Sequence, residues 1–582
     1  MNENNPALEA AQQASQEMFA AIRSNTCFRV EAGAGAGKTY SLIEALNDLC
    51  KTKAAEFAKN GEKIACITYT NAAKDVIQER TDNHPVILTD TIHSFAWSLL
   101  KGFQPALREL IPSLGEKWEK RIEEAGGLSS QKIVYDLGYP SADSETIDLH
   151  HDDVIKLMAI FLEKSKFRSL IKSTFPILFI DEYQDTDIEL ANALVKNLIE
   201  EPSGILVGLF GDHWQKIYGS KVCGLIENDK ITEISKNANF RSDKYIVECL
   251  NRMRPELLQH EVDPDSTGEI TVFHSNGFQG DRMTTNHWQG DLPEANAHEY
   301  LLRAKARLEN HGWDFASKHT KILMLTNNVL ASEQGYRNLA GCFRDTDDFL
   351  KKKNHYIKLF LETVEPICEH FLLGHYGAMF SVLGAKHPKL SCQQDKARWS
   401  ADLNKLIEKR EVGSVRDVLD LLKETSRPQL SAKVAAAEAK LDRIVKAEDA
   451  GNEIEDLDVE FAKKLRELEC ISYKEVISLY KYVEDKTPFS TKHGVKGAEF
   501  DNVLVICGRG WNNYNWNQLL EWLSDGPPAD KKETFERNRN LFYVSCSRAK
   551  KRIALLFTQK LSVQALERIE HIFGKDNVVG EP

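Results

Sequence analysis

Residues 30–39 read Val-Glu-Ala-Gly-Ala-Gly-Ala-Gly-Lys-Thr, and this stretch decides what the rest of the chain has to build. Gly33, Gly35 and Gly37 alternate with alanines, so the backbone can curl tightly and turn its N–H groups toward an anion without side chains in the way. The usual pattern has glycine where this chain has Ala32, and a Gly/Ala-rich entry to a helix is the alternative interpretation. We interpret the stretch as a phosphate-binding loop.

The residues on either side of the glycines fit that interpretation. Lys38 supplies a positive charge for the β- and γ-phosphates of a nucleotide, and the Thr39 hydroxyl is placed to bind Mg²⁺ at the start of the next helix. Residues 27–30 have the pattern of a short strand, and residues 41–49 have the apolar spacing of a helix. Strand, loop and helix in this order are the context that the motif requires.

Composition sets the class of protein. The chain has 582 residues, of which 42% are hydrophobic, and this is enough for about three or four domains with apolar cores. We find no apolar run long enough for a membrane span and no signal-peptide pattern. The 11 cysteines form no C-x-x-C pair, which argues against a zinc or iron–sulfur site and fits reduced thiols. We expect a cytoplasmic protein with no membrane partner.

The net charge of −12 is unfavourable for a protein that binds nucleic acid, because phosphate contacts need local positive potential. Backbone N–H groups and hydroxyls can do much of the phosphate binding, with lysines concentrated only locally. The charge therefore weakens the expectation of nucleic-acid binding without excluding it.

Polar residues follow two further predicted strands, in residues 63–71 and 89–95. Threonine and asparagine at the start of a helix are natural N-caps and equally natural donors to a phosphate. One such place would be interpreted as capping, but two places after a phosphate-binding loop indicate a polymer backbone lying across strand ends. The candidate residues are Thr70, Asn71, Thr91, His93 and Phe95.

An apolar strand at residues 177–180 delivers two adjacent carboxylates, Asp181 and Glu182. In a nucleotide hydrolase the first would hold Mg²⁺, and the second would polarise the water that attacks the γ-phosphate. A third strand, at residues 204–210, leads to Gln215, which can sense the γ-phosphate or its water. A strand that merely ends at an acidic turn is the alternative, and a preceding G-K-T loop disfavours it.

Two other places offer contacts to a nucleotide. Phe240 beside Arg241 presents an aromatic plane next to a guanidinium, which suits an adenine face and a triphosphate. Gln16 lies in an alanine-rich predicted helix upstream of the loop, where a glutamine can read an adenine edge through a donor and an acceptor. A solvated helix face is an equally good interpretation of Gln16.

The ordered set of motifs resembles superfamily 1A DNA helicases of the UvrD/Rep/PcrA type over nearly the whole chain. That family also has alanine at the position of Ala32, and Gln16 lies at the spacing of its adenine-reading glutamine. Four further segments are similar to motifs of that family. Residues 70–71 and 91–95 resemble its two single-strand contact motifs, residues 181–185 its second ATPase motif and residues 211–215 its third.

The C-terminal half completes the resemblance. Residues 491–500 resemble the fifth motif, which implies that Thr491 and His493 lie by the DNA and Glu499 by the ribose. Residues 539–549 resemble the sixth motif, which implies that Arg548 meets the γ-phosphate.

The resemblance implies an α/β fold with two RecA-like parallel-sheet motor domains and helical insertions, in the 1A/1B/2A/2B arrangement. The implied boundaries are 1–95 and 176–255 for 1A, 96–175 for 1B, 256–334 and 486–582 for 2A, and 335–485 for an insertion in the 2B position. It further implies an ATP- and Mg²⁺-dependent translocase or helicase, moving 3′→5′ on single-stranded or partly duplex DNA. The catalytic residues would be Lys38, Glu182, Gln215, Arg241 and Arg548.

Two departures from the family matter for mechanism. Family members usually carry an aromatic base-stacking residue a few residues after the tyrosine of the third motif, and here Ser220 takes that position. Trp214 could replace it or could pack under the loop. Residues 335–485 show no recognised 2B motif, and a hairpin of solvated helices is favoured over a dedicated DNA-binding surface.

Residues 494–500 (GVKGAEF) and the compact size also resemble the helicases that accompany OLD-family nucleases in Gabija-type anti-phage systems. This narrower resemblance implies a role in anti-phage defence or DNA repair and an OLD-family (GajA-like) nuclease partner. The alternative is a module in which ATP and DNA occupancy regulate that nuclease with little or no unwinding. A P-loop kinase or SMC-type ATPase would not explain residues 493–500 or Arg548.

Overall fold

The computed structural model describes residues 5–136, 140–217, 219, 221–285, 289–384, 390, 392–451, 454–508 and 514–582, without the side chain of Asn328. Ser220, the position predicted to lack the base-stacking ring, lies outside the described residues. Within the described ranges, no helix combines the length and the apolar character needed to cross a bilayer.

The strands are β1 Phe28–Ala32, β2 Ile64–Thr68, β3 Ile87–Thr91, β4 Lys132–Val134, β5 Ser141–Ala142, β6 Thr146–Asp148, β7 Ile177–Asp181, β8 Leu206–Gly211, β9 Thr232–Lys236, β10 Ala238–Asn239, β11 His260–Glu261, β12 Glu269–His274, β13 Thr320–Met324, β14 Phe489–Thr491, β15 Phe500–Cys507, β16 Ala549–Phe557 and β17 Val578–Gly580.

The helices are α1 Pro6–Arg23, α2 Lys38–Asn60, α3 Asn71–Arg80, α4 Ile92–Leu100, α5 Gln104–Leu110, α6 Glu116–Glu124, α7 His151–Leu162, α8 Ser165–Thr174, α9 Ile188–Leu194, α10 Lys244–Met253, α11 Glu294–Asn310, α12 Asn327–Gln334, α13 Arg337–Gly341, α14 Thr346–Leu350, α15 His355–Leu359, α16 Glu365–Leu372, α17 Tyr376–Leu383, α18 Gln393–Val412, α19 Val415–Thr425, α20 Ala432–Asp449, α21 Asp456–Glu469, α22 Tyr473–Val483, α23 Trp516–Asp525, α24 Lys532–Cys546 and α25 Val563–Phe573.

The first sheet is parallel throughout, with the strand order β3-β2-β7-β8-β1-β9. Its central strands are continuous apolar runs because helices cover both faces of a parallel sheet. The carboxyl ends of parallel strands share one edge, and ligands bind at that edge. The loop after β1 therefore lies beside the ends of β8 and β7, which carry the predicted acidic residues and glutamine.

The second sheet is also parallel, with the order β14-β13-β15-β16-β12-β17. In it, Phe500 at the end of the predicted fifth motif pairs with Ala549 at the end of the predicted sixth motif. Two parallel sheets with helical insertions confirm the predicted fold class.

Each sheet carries an insertion. Between β3 and β7, helices α4 to α8 are joined by a small three-stranded sheet of order β4-β6-β5, so this segment is not wholly helical. Between β13 and β14, helices α12 to α22 enclose an apolar core of their own, which includes Tyr336, Phe360 and Tyr473. Helices α20 and α21 pack together as a hairpin whose apolar face joins that core.

Helix α10 follows the last strands of the first half but packs on the second sheet. Its buried residues Ile246, Cys249 and Leu250 share a core with β12, β15 and β16. Just before it, the Ser242 hydroxyl donates to the Ala549 carbonyl at 2.7 Å. Helix α10 thus packs on the second sheet, whereas β11 after it pairs with β10 and contacts α1 of the first half, and the predicted boundary at 255 stays a prediction.

Candidate nucleotide site between the two sheets

The loop after β1 has the shape that its glycines predict. Gly35 and Gly37 have φ of +78° and +75°, a region that residues with a Cβ rarely adopt. A Cβ on Gly35 would stand 2.7 Å from Oδ1 of Asn239 and 2.8 Å from Cβ of Arg241. Helix α2 begins at Lys38 directly after Gly37, so the first N–H groups of the helix face the same space as the loop.

Lys38 points a buried ammonium into this space. Its Nζ lies 3.4 Å from Oε2 of Glu182, and within the described part of the chain it has no hydrogen-bond partner. A buried cation without hydrogen bonds beside a loop of inward-facing N–H groups fits a phosphate oxygen. Thr39 is the next residue on the first turn of the helix.

Asp181 and Glu182 end β7 as predicted, and their environments differ. Burial and the adjacent Glu182 raise the pKa of Asp181 to about 7. Burial also acts to raise the pKa of Glu182, but the charges of Lys38 and Lys496 outweigh it and hold that pKa below its usual range. Glu182 has a φ of +49°, and its Oε2 accepts a hydrogen bond of 2.5 Å from Nε2 of Gln184. Asp181 offers carboxylate oxygens, which are ligands of the kind that Mg²⁺ takes, and Glu182 lies directly beside it.

Gln215 and Arg548 belong to different sheets, and their side chains lie close together. Gln215 lies in the turn after β8, where its Nε2 donates to Oδ2 of Asp212 at 2.8 Å. Arg548, two residues after α24, is 1% exposed, and its Nη2 lies 3.5 Å from Oε1 of Gln215. Burial and the nearby charge of Arg241 lower the pKa of Arg548 to about 9. Binding of an anion such as a phosphate oxygen beside these two arginines would therefore be favourable.

Arg241 and Glu499 form an ion pair. Nε of Arg241 donates to Oε2 of Glu499 at 2.9 Å, and its Nη1 donates to the Ser547 carbonyl at 3.0 Å. The Glu499 carboxylate also lies 3.2 Å from Nζ of Lys550. Phe240, beside Arg241, leaves 46% of its surface exposed, as a ring that stacks on a base would require. The structure therefore places Glu499 against two cations, and the predicted ribose contact of Glu499 stays a prediction.

Trp214 packs at the interface between the two sheets instead of facing solvent. It is 5% exposed, and its ring meets Tyr543 edge to face with centroids 5.4 Å apart. The Arg539 guanidinium lies 3.9 Å from its ring centroid. Tyr543 also accepts a hydrogen bond of 3.4 Å from the backbone N–H of Ala34 in the phosphate-binding loop. Of the two interpretations of Trp214, the structure supports packing under the loop.

The predicted DNA contacts on the first sheet lie at neighbouring strand ends. Thr70 caps α3 by accepting from the Ala73 N–H at 3.2 Å, and Asn71 begins that helix with its side chain exposed. Thr91 ends β3, which pairs with β2, and caps α4.

Two residues of the α4 segment have different surroundings. His93 is half-buried with its ring 5.3 Å from that of His151, and burial together with His151 lowers its pKa. Phe95 is 2% exposed and packs against Phe175 with ring centroids 5.4 Å apart, so its ring lies in the core and not at a DNA-facing surface.

The remaining predicted residues lie apart from the loop. Thr491 ends β14 and accepts from the Gly494 N–H at 2.9 Å. Nε2 of His493 lies 3.3 Å from the Tyr514 hydroxyl, and burial and Lys492 lower the pKa of His493. Gln16 is exposed on α1, and the hydrogen bonds described for the chain do not connect it to the phosphate-binding loop.

Sequence reasoning missed several buried groups that join the motifs. Lys496 forms a buried ion pair with Asp185, which connects the fifth motif to the second. Gln184, Glu31 and Arg254 are buried and hydrogen-bonded around the same turn after β8. The role of Glu31 could have been predicted in part, because a carboxylate inside an apolar strand indicates a buried polar partner. Nothing in the local sequence pointed to Arg254.

Comparison with known proteins agrees with this geometry. Residues 15–221 match a family model described as AAA domain, and residues 352–560 match the UvrD-like helicase C-terminal domain. The chain therefore carries a UvrD-like helicase domain in its C-terminal half, and the two matches together support the resemblance to superfamily 1 helicases. The chain is 25% identical to the Gabija protein GajB of Bacillus cereus (strain HuB5-5), over 97% of each chain.

A crystal structure of Pif1 helicase from Candida albicans also matches, over 56% of this chain and 53% of that chain, at 15% identity and a TM-score of 0.27. The predicted family and the prediction of a helicase-type ATPase are thus confirmed by the two family models and the curated relative.

Proposed function

We propose that this protein is a DNA translocase and helicase that hydrolyses ATP between its two sheets and moves 3′→5′ on single-stranded DNA. One observation carries the proposal. Gln215 from the first sheet and Arg548 from the side of the second sheet lie 3.5 Å apart beside the phosphate-binding loop. A nucleotide site with walls from two sheets couples its occupancy to their relative position.

The residues of the loop fit ATP and Mg²⁺. Gly33, Gly35, Gly37 and Lys38 would hold the phosphates, and Thr39 and Asp181 would hold the metal ion. When bound, Mg²⁺ supplies positive charge to the β- and γ-phosphate oxygens. Gln16 and Phe240 would contact the base, and Glu499 the ribose.

Each catalytic group has a separate task. Glu182, with its lowered pKa, stays ionised and orients the attacking water by accepting its proton. Gln215 senses the γ-phosphate or that water. Arg241 and Arg548 stabilise the charge that develops on the transferred phosphoryl group.

Movement follows from the charges of the two arginines. Arg241 and Arg548 are attracted to a triphosphate, which closes the cleft, and they are held less strongly after hydrolysis. Thr70, Asn71, Thr91 and His93 on one side and Thr491 and His493 on the other would then hold the DNA backbone alternately. Backbone contacts of this kind give no sequence preference.

Two assays on the same preparation test the proposal. We expect phosphate release to be stimulated by single-stranded DNA, and strand displacement on a duplex with a 3′ tail but not on one with a 5′ tail. Lys38→Met should lose both activities and serves as the control for contaminating enzymes. DNA-stimulated hydrolysis without unwinding or translocation would contradict the proposal.

A second function is favoured by the similarity to GajB over 97% of both chains. In it, the protein acts in anti-phage defence as an ATP- and DNA-sensing subunit of an OLD-family, GajA-like nuclease, with little unwinding of its own. Co-purification with the product of the neighbouring gene, followed by a nuclease assay, distinguishes the two functions. A stable complex whose cleavage responds to ATP, without strand displacement by either component, would support this second function.

A further inference from the structure

Arg254 connects the second sheet to the catalytic turn of the first. It follows α10, whose buried face packs on the second sheet, yet its guanidinium reaches back into the first and is 1% exposed. Nη1 donates to Oδ1 of Asp212 at 2.6 Å, and Nη2 donates to Oε1 of Glu31 at 3.0 Å. One rigid guanidinium thus fixes the distance between the carboxylate that follows β8 and a carboxylate of β1.

The cluster around Arg254 is not a metal site. Glu31, Asp212 and His213 lie close enough together to share a cation. The guanidinium of Arg254 instead bonds to both carboxylates, and Nδ1 of His213 lies 2.7 Å from Oε1 of Glu31. Burial opposes the ionisation of Asp212, but the charge of Arg254 outweighs it and lowers the pKa of Asp212 to about 2.

Hydrogen bonds lead from Asp212 to Gln215 and to Glu182. Its Oδ2 accepts from Nε2 of Gln215 at 2.8 Å. Its backbone N–H donates to Oε1 of Gln184 at 3.1 Å, and Nε2 of Gln184 donates to Oε2 of Glu182 at 2.5 Å. A continuous series of hydrogen bonds therefore joins Arg254 to both groups that meet the attacking water.

We propose that Arg254 is a positioning residue for ATP hydrolysis, which sets Gln215 and Glu182 through Asp212 according to where α10 and the second sheet lie. The inference rests on the proposed ATP hydrolysis at this site and does not require DNA unwinding. It assigns the coupling between the sheets to a residue outside the motifs identified in the sequence.

Arg254→Lys tests the proposal while keeping the positive charge. A lysine ammonium cannot bridge Asp212 and Glu31 in the same plane. We expect the DNA-stimulated kcat for ATP to fall about tenfold or more, with the KM for ATP and the Kd for a fluorescent ATP analogue changed by less than about threefold. A residue that only supports the fold would change kcat and KM together with the unfolding midpoint.

Arg252→Lys, two residues before Arg254 on α10, is the matched control. The Arg252 guanidinium donates to the Ile572 carbonyl at 3.0 Å and to Oε2 of Glu248 at 3.2 Å, and neither partner belongs to the catalytic turn. This variant should keep kcat within about threefold of the wild-type value, as expected for a substitution that leaves the hydrogen bonds to the water-orienting groups intact. An equal loss of kcat in both lysine variants would overturn the proposal.

Gln184→Met tests the same connection without touching the arginine. It removes both hydrogen bonds of a fully buried side chain of similar size, and we expect the same loss of kcat with little change in KM. Normal kcat in a folded Gln184→Met or Arg254→Lys variant would overturn the inference. Wild-type protein that hydrolyses ATP but does not unwind DNA would contradict only the helicase proposal, whereas wild-type protein without ATPase activity would contradict both.

Discussion

Replacing Trp214 by alanine separates a packing role from a base-stacking role. The ring is 5% exposed and lies between Tyr543, with centroids 5.4 Å apart, and the Arg539 guanidinium, 3.9 Å away. Removing a buried tryptophan ring lowers the free energy of unfolding by about 3–5 kcal/mol. Loss of the cation–π contact adds about 0.5–2 kcal/mol.

The assay is thermal unfolding followed by DNA binding at a temperature where both proteins are folded. For domains of this size the expected loss corresponds to a lower midpoint by on the order of 10 °C. Affinity for single-stranded DNA, measured at one fixed salt concentration, should change little in Trp214→Ala. Trp214→Phe keeps an aromatic ring against Tyr543 and should recover most of the midpoint.

A base-stacking tryptophan would give the opposite result. Stacking on one base contributes about 1–3 kcal/mol to the binding of single strands, which corresponds to roughly 5- to 150-fold in Kd. An unchanged unfolding midpoint in Trp214→Ala, with DNA affinity weakened by that amount, would refute the packing interpretation.

Three further substitutions test other parts of the site. Glu182→Gln should bind ATP yet hydrolyse it at least about a hundredfold more slowly in a single-turnover assay, and near-normal turnover would move the water-orienting role elsewhere. Phe95→Ala should lower the free energy of unfolding by about 3–5 kcal/mol, and a selective loss of DNA binding without it would return Phe95 to the DNA-facing set. The folded-state pKa of His493 lies below its ordinary value, so the unfolded chain binds the proton first. Stability should therefore fall as the pH is lowered through about 6.5, less steeply in His493→Gln, and equal slopes would contradict the burial of this ring.

The elements of the nucleotide site could be predicted because local sequence determines them. Alternating glycines allow the backbone of the loop, and apolar runs such as β7 end in side chains that parallel pairing brings to one edge. Asp181, Glu182 and Gln215 stand at strand ends for this reason. Strand periodicity and motif spacing carried enough information for these positions.

Other features depend on contacts between distant segments. Phe95 follows a predicted DNA contact, but its ring turns into a core completed by Phe175, about eighty positions later in the chain. The partners of Arg254 are Glu31 in β1 and Asp212 directly after β8, and no local sequence pattern predicts these contacts. Glu499 was assigned by family position, and its pairing with Arg241 appears only when the two sheets are placed together. Such pairings follow from tertiary structure, which periodicity does not encode.

The strand order of the second sheet bears on how the protein is made. All strands of the first sheet come from residues 28–236, whereas β12 pairs in register with β16, as Glu269 with Arg552. A growing chain can therefore complete the first sheet early, but the second must wait for the last strands to leave the ribosome, and such long-range pairing forms slowly. Arg548 arrives with those strands. A nascent chain would carry the phosphate-binding loop before Arg548 has been synthesised. ATP hydrolysis would therefore be delayed until the second sheet can form.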